Sequence, residues 1–200
     1  SPMVLCAGVL LDVETAVGQA VRAAGDFLVL VGEPRDELGG SVFVREVLGQ
    51  DAGAPPALDL EREARLQELA VTAAEGRWVR AAHDVSGGGL GVALAVLLLA
   101  APAGRELGIE ADLVVLETEA ALALFSERAG IVFAVSPERA PRLFQAARER
   151  SLLAWPVGVV RAGGGLRARL ADGVAEWTGE ELREAAARPL ERLWNEEPGR

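Results

Sequence analysis

Residues 87–103 (GGGLGVALAVLLLAAPA) form a nearly continuous apolar run that opens with three glycines. The run is slightly short for a membrane span, and Pro102 lies near its end. A helix that is apolar on all sides must be covered by other elements of the protein. We therefore predict a buried helix of a soluble domain, from about residue 89 to 101, and no membrane segment.

The rest of the chain alternates short apolar runs, which predict strands, with segments of helical periodicity. Asp59 is expected to cap a helix that ends at Gly76, and Thr178 with Glu181 forms a capping box for the last helix, which Pro189 is expected to break. The predicted strands are 3–11, 26–31, 78–82, 109–115, 130–135, 155–160 and 166–170. The predicted helices are 39–48, 59–75, 89–101, 119–126 and segments that begin at Ser136 and Thr178.

These elements alternate without a regular repeat, and no stretch has the composition of a linker. One domain over residues 1–194, of the α/β or α+β class, accounts for the pattern. Residues 195–200 are acidic and contain proline, so we expect a frayed tail there. We also find no basic segment followed by an apolar one that would indicate a signal peptide.

Charge and composition exclude several functions. The net charge is −10 and every basic residue is arginine, which argues against binding to nucleic acid phosphates. Without lysine the chain can form neither a Schiff base nor a Walker-type phosphate loop. The single cysteine, Cys6, cannot form a disulfide within the chain, and its apolar surroundings favour a small buried side chain over a nucleophile. These features fit the cytoplasm.

Residues 81–90 (AAHDVSGGGL) are the segment most typical of a binding site: a strand end, a polar cluster, glycines and a helix start. Unpaired backbone N–H groups at a helix start favour an anion, and glycines let it approach closely. Ser86 could cap the helix or donate to a phosphate, whereas Asp84 would need Mg²⁺ or a hydroxyl between itself and a phosphate. The alternative is a tight connection whose glycines serve packing.

Two further residues are candidates with two interpretations each. His83, the only histidine, could be a general base, but it could equally be a structural hydrogen-bonding group beside a turn. Glu127 could contact a ligand or be a solvated charge at a helix end. We predict no catalytic residue, and His83, Asp84 and Glu127 do not have the spacing of metal ligands. The candidate phosphate- or nucleotide-binding residues are His83, Asp84, Ser86, Gly87, Gly88, Gly89 and Glu127.

Three segments, in this order, resemble the phosphoribosylformylglycinamidine synthases. They are ELGGSVFV at 37–44, AHDVSGGGLGVALAVL at 82–97 and LFSE at 124–127, and residues 7–31 resemble the start of the same module. The resemblance implies an α+β sandwich, with a mixed β-sheet and packed helices, like the C-terminal domain of aminoimidazole ribonucleotide synthetase. The chain resembles the second, C-terminal copy of that domain in the family.

The resemblance also implies an activity. The whole enzyme is a ligase of purine biosynthesis that uses ATP and glutamine-derived ammonia to convert formylglycinamide ribonucleotide to formylglycinamidine ribonucleotide. ATP and Mg²⁺ would be bound mainly by N-domains, with this chain as one wall of a nucleotide cleft and inactive alone. The implied partners are the N-terminal part of the same enzyme, a glutaminase subunit and the nucleotide substrate.

The sequence departs from the family's pattern at three positions. Gly87 stands where the family usually has Asp, Arg128 where it has Ser, and Phe43 where it has Tyr. Arg128 could add a phosphate contact or point to solvent. Two alternatives remain open: a domain of a related selenophosphate, thiamine-phosphate or hydrogenase-maturation protein, or a non-catalytic interaction module.

Overall fold

A computed structural model describes residues 5, 7–33, 37–102, 104, 106–128 and 130–195, the side chains of 188–195 excepted. Seven strands form one sheet in the order β2-β4-β1-β5-β3-β6-β7. Every neighbouring pair is antiparallel except β3 with β6, so the predicted mixed sheet is confirmed. The strands are β1 (Phe27–Gly32), β2 (Val79–Asp84), β3 (Leu107–Asp112), β4 (Gly130–Val135), β5 (Ala154–Ala162), β6 (Gly165–Leu170) and β7 (Gly173–Trp177).

Helices cover both faces of this sheet. They are α1 (Val42–Glu46), α2 (Leu60–Glu75), α3 (Gly89–Leu99), α4 (Ala120–Phe125), α5 (Ala140–Glu149) and α6 (Gly179–Asn195), with short 3₁₀ turns at Val13–Thr15 and Leu113–Leu116. In β1, Leu28 and Leu30 pack toward α3 and α4, and Val29 and Val31 pack toward α2 and α5. This alternation is the period of two that a strand between two layers requires.

The predicted buried helix is confirmed as α3. Leu94 and Leu97 are fully buried, and the helix contributes to the larger of the two apolar clusters. Among the described residues, no helix is both long and apolar enough to cross a bilayer. The predicted caps are also present: the Asp59 side chain accepts from the N–H of Arg62 at the start of α2, and Thr178 and Glu181 exchange backbone-to-side-chain hydrogen bonds before α6.

The strand predicted at 3–11 is wrong for residues 5 and 7–11. They have no strand geometry, and Leu5, Val9 and Leu11 are almost fully exposed. An apolar run makes a strand only where a sheet edge is free to pair with it, and composition does not reveal that edge. Cys6 lies outside the described residues, as does the predicted tail apart from its first residue, Asn195.

Other differences are shorter. Residues 113–115 belong to a 3₁₀ turn and not to β3, and β7 was not predicted. Helix α5 begins at Ala140 after a turn in which the carbonyl of Ser136 accepts two N–H groups, so Ser136 does not cap the helix directly. The backbone of α6 stays helical through Pro189, so the break expected there is absent from the described backbone.

Candidate functional site

The glycine loop, Ser86–Gly89, joins the end of β2 to the start of α3. Gly88 (φ +85°) caps the helix, and Gly89 (φ +74°) is its first residue. The N–H of Gly89 donates to the carbonyl of Ser86 over 2.8 Å, which closes the turn. A Cβ on Gly89 would lie 2.6 Å from the carbonyl oxygen of Leu124. Glycine is therefore required here both by backbone conformation and by the close approach of α4.

The carboxylate of Glu127 joins this loop to the start of α1. Its Oε1 accepts the N–H of Gly88 over 2.8 Å and the N–H of Val42 over 2.7 Å. Both donors belong to the starts of helices, where N–H groups have no partner within the helix. The three segments that carried the family resemblance therefore meet at one oxygen atom, and a free, solvated Glu127 is excluded.

The side chain of Arg128, the next residue, binds two other carboxylates. Its Nη1 donates to Glu37 over 2.9 Å and its Nη2 to Glu33 over 3.0 Å, and Glu33 also accepts from Arg62 of α2 over 2.9 Å. The Arg128 side chain is only 7% exposed. The expectation that this arginine could point to solvent is therefore wrong.

His83 and Asp84 lie at the end of β2. The Nδ1 atom of His83 is 2.6 Å from the carbonyl oxygen of Asp84. Because a carbonyl oxygen only accepts, this contact places a proton on Nδ1 and supports the interpretation of His83 as a structural hydrogen-bonding group. The Asp84 side chain is 65% exposed, so it is available to a ligand outside this chain.

The exposed part of the loop consists of Ser86 and Gly87. Ser86 does not cap α3, because the cap position is Gly88 and no side chain caps it there. A Cβ on Gly87 would meet only the Val42 side chain, at an ordinary contact distance of 3.9 Å. Phe43 of α1 stacks on Phe125 of α4 with 4.6 Å between ring centroids, which attaches α1 to α4.

A cleft of about 230 Å³ is lined in part by His83 and Asp84. Two clefts of about 400 Å³ each occupy the turn at 163–165 and the open face of β3, β5 and β6, and neither contains a predicted site residue. The cavity beside the loop holds about 30 Å³ and is lined in part by Val85, Leu90 and Ser126. Among the described residues, no three Asp, Glu, His or Cys side chains are grouped to hold a metal ion.

The sequence pattern predicted the glycine loop and Glu127 as site candidates, but it did not predict the contacts that hold them in place. Val42 participates through its backbone, which no side-chain pattern reveals. Glu33 and Glu37 lie 95 and 91 residues before Arg128 in the sequence, and the pairing of β1 with β4 brings them to it.

The fold is that of an α+β domain with one mixed sheet covered by helices, and comparison with known proteins gives the family. Residues 23–171 match the family described as AIR synthase related protein, C-terminal domain, and the chain belongs to that family. It is 41% identical over 165 residues to phosphoribosylformylglycinamidine synthase subunit PurL of Moorella thermoacetica, covering 82% of this chain and 22% of that protein. It is 35% identical over 195 residues to the PurL subunit of Chlorobaculum tepidum, covering 96% of this chain and 26% of that protein.

Solved structures agree on the fold. Thermotoga maritima PurL complexed with FGAR superposes with a TM-score of 0.68 at 22% identity, over 85% of this chain and 30% of that one. The hydrogenase maturation protein HypE of E. coli gives 0.56 at 22% identity, over 82% of this chain and 52% of that one. The chain spans about a fifth to a quarter of the length of the PurL relatives it matches.

Proposed function

We propose that this chain is the C-terminal domain of a phosphoribosylformylglycinamidine synthase. The whole ligase would use ATP and glutamine-derived ammonia to convert formylglycinamide ribonucleotide to formylglycinamidine ribonucleotide, a step of purine biosynthesis. The observation that carries the proposal is the meeting of three family-like segments at the carboxylate of Glu127. The 41% identity to a PurL subunit favours this activity over the activities of other members of the superfamily.

In this proposal the chain supplies one wall of a nucleotide or phosphate cleft. Exposed Asp84, Ser86 and Gly87 face the ligand, while buried Gly88 and Gly89 and the carboxylate of Glu127 fix the shape of the loop. His83 orients the end of β2 through its contact with the Asp84 carbonyl. The cavity beside the loop holds only about 30 Å³, and the cleft lined in part by His83 and Asp84 holds about 230 Å³. Both volumes fit a wall that needs a second domain to close the site.

ATP and Mg²⁺ fit this wall only in part. Asp84 carries a negative charge and can approach a phosphate only through a cation. A magnesium ion needs several oxygen ligands, and the described residues offer Asp84 without two further grouped metal-binding side chains. The other ligands would come from the nucleotide itself, from water and from upstream domains. Mg²⁺ would supply charge neutralisation of the phosphates, and Asp84 would orient it.

The proposed partners follow from the same assignment. They are the N-terminal part of the same enzyme, the glutaminase subunit and the nucleotide substrate, in the cytoplasm. A structure described as PurLQS from Thermotoga maritima resembles this chain with a TM-score of 0.67, which supports a multi-subunit enzyme. The chain alone would be inactive, because it has no lysine and no Walker-type loop to hold ATP by itself.

The alternatives are weaker. The hydrogenase maturation protein and the thiamine-monophosphate kinase of Stenotrophomonas maltophilia match less well, with TM-scores of 0.56 and 0.51 against 0.67 for ATP-complexed PurL. A non-catalytic interaction module has no specific observation in its favour.

The test is a synthase assay on the complete protein that contains this chain, with formylglycinamide ribonucleotide, ATP, Mg²⁺ and ammonium. We expect ADP release that depends on the ribonucleotide. The 200-residue chain alone, tested in parallel, should give none. Turnover by the chain alone would contradict its proposed inactivity, and a complete protein that hydrolyses ATP only with thiamine phosphate or selenide would contradict the assignment.

A further inference from the structure

Two consecutive residues, Glu127 and Arg128, hold one segment at both of its ends. Arg128 binds Glu37, and Glu127 binds the N–H of Val42 five residues later. We propose that the pair is a tether that positions residues 37–42 against the glycine loop, so that Glu127 and Arg128 are positioning residues. The tether is inferred from the geometry of these contacts alone, and its importance for nucleotide binding rests on the proposed function.

The Glu127 end couples two loops through one atom. Oε1 accepts the N–H groups of both Val42 and Gly88, which are 46 residues apart in sequence. Hydrogen bonds to a carboxylate are stronger than those between neutral groups, and a negative charge is favourable at a helix start. Loss of this carboxylate would therefore release both loops together and not one of them alone.

The Arg128 end is held by burial as well as by charge. A guanidinium that is 7% exposed is tolerated only while carboxylates compensate it, and here Glu33 and Glu37 do so. Glu33 directly follows β1 and also pairs with Arg62 of α2, so this end is anchored beside two elements of the core. Residues 37–42 are thereby connected to the body of the domain.

The segment between the two ends is stiff enough to transmit a restraint. The N–H of Gly40 donates to the carbonyl of Ala52 over 3.1 Å, and the Ser41 side chain caps α1 by accepting from Val44. A side chain on Gly39 would collide with the backbone of Ala54. Residues 37–42 are therefore packed along their length, and a displacement at one end would be transmitted to the other.

Amide hydrogen exchange of the 200-residue chain, followed by NMR, tests the tether. The variants are Glu127→Ala, Glu127→Gln, which retains an oxygen acceptor, and Arg128→Ser. Val132, fully buried in the middle of β4, is the internal reference. We expect Glu127→Ala to speed exchange at both Val42 and Gly88 by roughly tenfold or more relative to Val132, with Glu127→Gln recovering most of the protection.

Arg128→Ser should speed exchange at Val42 although it removes no bond to that residue. In the double variant Glu127→Ala with Arg128→Ser, the two effects at Val42 should combine to less than their product, because either cut already frees the segment. Independent changes at Val42 and Gly88, full multiplication in the double variant, or no effect of Arg128→Ser would overturn the proposal. If a variant speeds amide exchange at Val132 as much as at Val42, the milder variants Glu127→Gln and Arg128→Lys replace it. Coupled changes in exchange at Val42 and Gly88 then support the tether, and independent changes overturn it.

The connection with nucleotide is measured separately. In the complete protein, Arg128→Ser should weaken MgATP binding by roughly fivefold or more if residues 37–42 shape the cleft. Unchanged MgATP binding together with the exchange pattern above would leave the tether in place and count against its role in the proposed function. A complete protein that binds no MgATP at all would instead contradict the proposed function itself.

Discussion

Asp26 and Arg80 form an ion pair in which the two partners experience different surroundings. Their Oδ1 and Nη1 atoms are 2.8 Å apart, yet the Asp26 side chain is 1% exposed and that of Arg80 is 46% exposed. The other carboxylate oxygen of Asp26 has no hydrogen-bond partner among the described residues. The ion pair therefore compensates only part of the desolvation of this carboxylate.

This relationship predicts a pH dependence of stability. Burial raises the pKa of Asp26 above its usual value of 3.8, against the opposing effect of Arg80. Between the usual and the raised pKa the folded state binds a proton that the unfolded state does not, so the free energy of unfolding falls as pH rises through this window. Urea unfolding from pH 3.5 upward should show wild type losing stability relative to Asp26→Asn. A difference that grows in favour of wild type with pH would contradict this.

The glycines of the loop should differ in their tolerance of alanine. At Gly88 a Cβ would lie 2.5 Å from a Val92 methyl group and 3.1 Å from the Val92 Cβ, so Gly88→Ala should cost about 1–2 kcal/mol, for its positive φ and for the shift that Val92 must make. At Gly89 the Cβ would press on the α4 backbone, so Gly89→Ala should cost more, at least about 3 kcal/mol. Urea unfolding measures both.

The matched control is Gly164→Ala, where a Cβ would meet nothing within 4 Å. This change should alter the free energy of unfolding by no more than about 0.5 kcal/mol. An equal cost at Gly88 and Gly89 would mean that the close approach of α4 is not what restricts position 89.

The stacked pair of Phe43 and Phe125 should be energetically coupled. Centroids 4.6 Å apart with ring planes 11° from parallel place the rings in direct contact between α1 and α4. A double-mutant cycle with Phe43→Leu and Phe125→Leu should give a coupling energy of about 0.5–1.5 kcal/mol by urea unfolding. Additive effects would indicate that the rings contribute only through their separate burial.

Asp84 should affect nucleotide use without affecting the fold. Its side chain is 65% exposed and makes no contact that the core requires. In the complete protein, Asp84→Asn should reduce MgATP affinity or kcat/KM by about tenfold or more, while the free energy of unfolding stays unchanged. Asp172→Asn, in the exposed turn between β6 and β7, is the control. Equal effects of the two variants would remove Asp84 from the proposed cleft.

Local patterns predicted most of the elements correctly, because each depended on a few neighbouring residues. Helix α2 begins after Asp59 and ends before Gly76 as expected, and the apolar run that follows the glycines forms α3 as expected. The failures involved information from elsewhere in the chain. Residues 7–11 have strand-like composition but no pairing partner, and β7 exists because β6 offers it an edge.

The same division explains the candidate site. The glycine loop was recognisable because its conformation needs glycine at two positions with positive φ. The role of Glu127 was left open, because its two donors are backbone groups 39 and 85 residues away. Arg128 could be interpreted only after the sheet had brought Glu33 and Glu37 to it.

The central position of β1 in the sheet has a consequence for how the chain acquires its structure. Phe27 pairs with Val135 on one side and Val159 on the other, so both neighbours of this strand lie more than one hundred residues later in the sequence. Closing loops of that length precedes any gain from the contacts, and proteins dominated by such distant pairings fold slowly. During synthesis, the apolar β1 segment therefore stays unpaired until most of the domain has left the ribosome, which exposes it to aggregation.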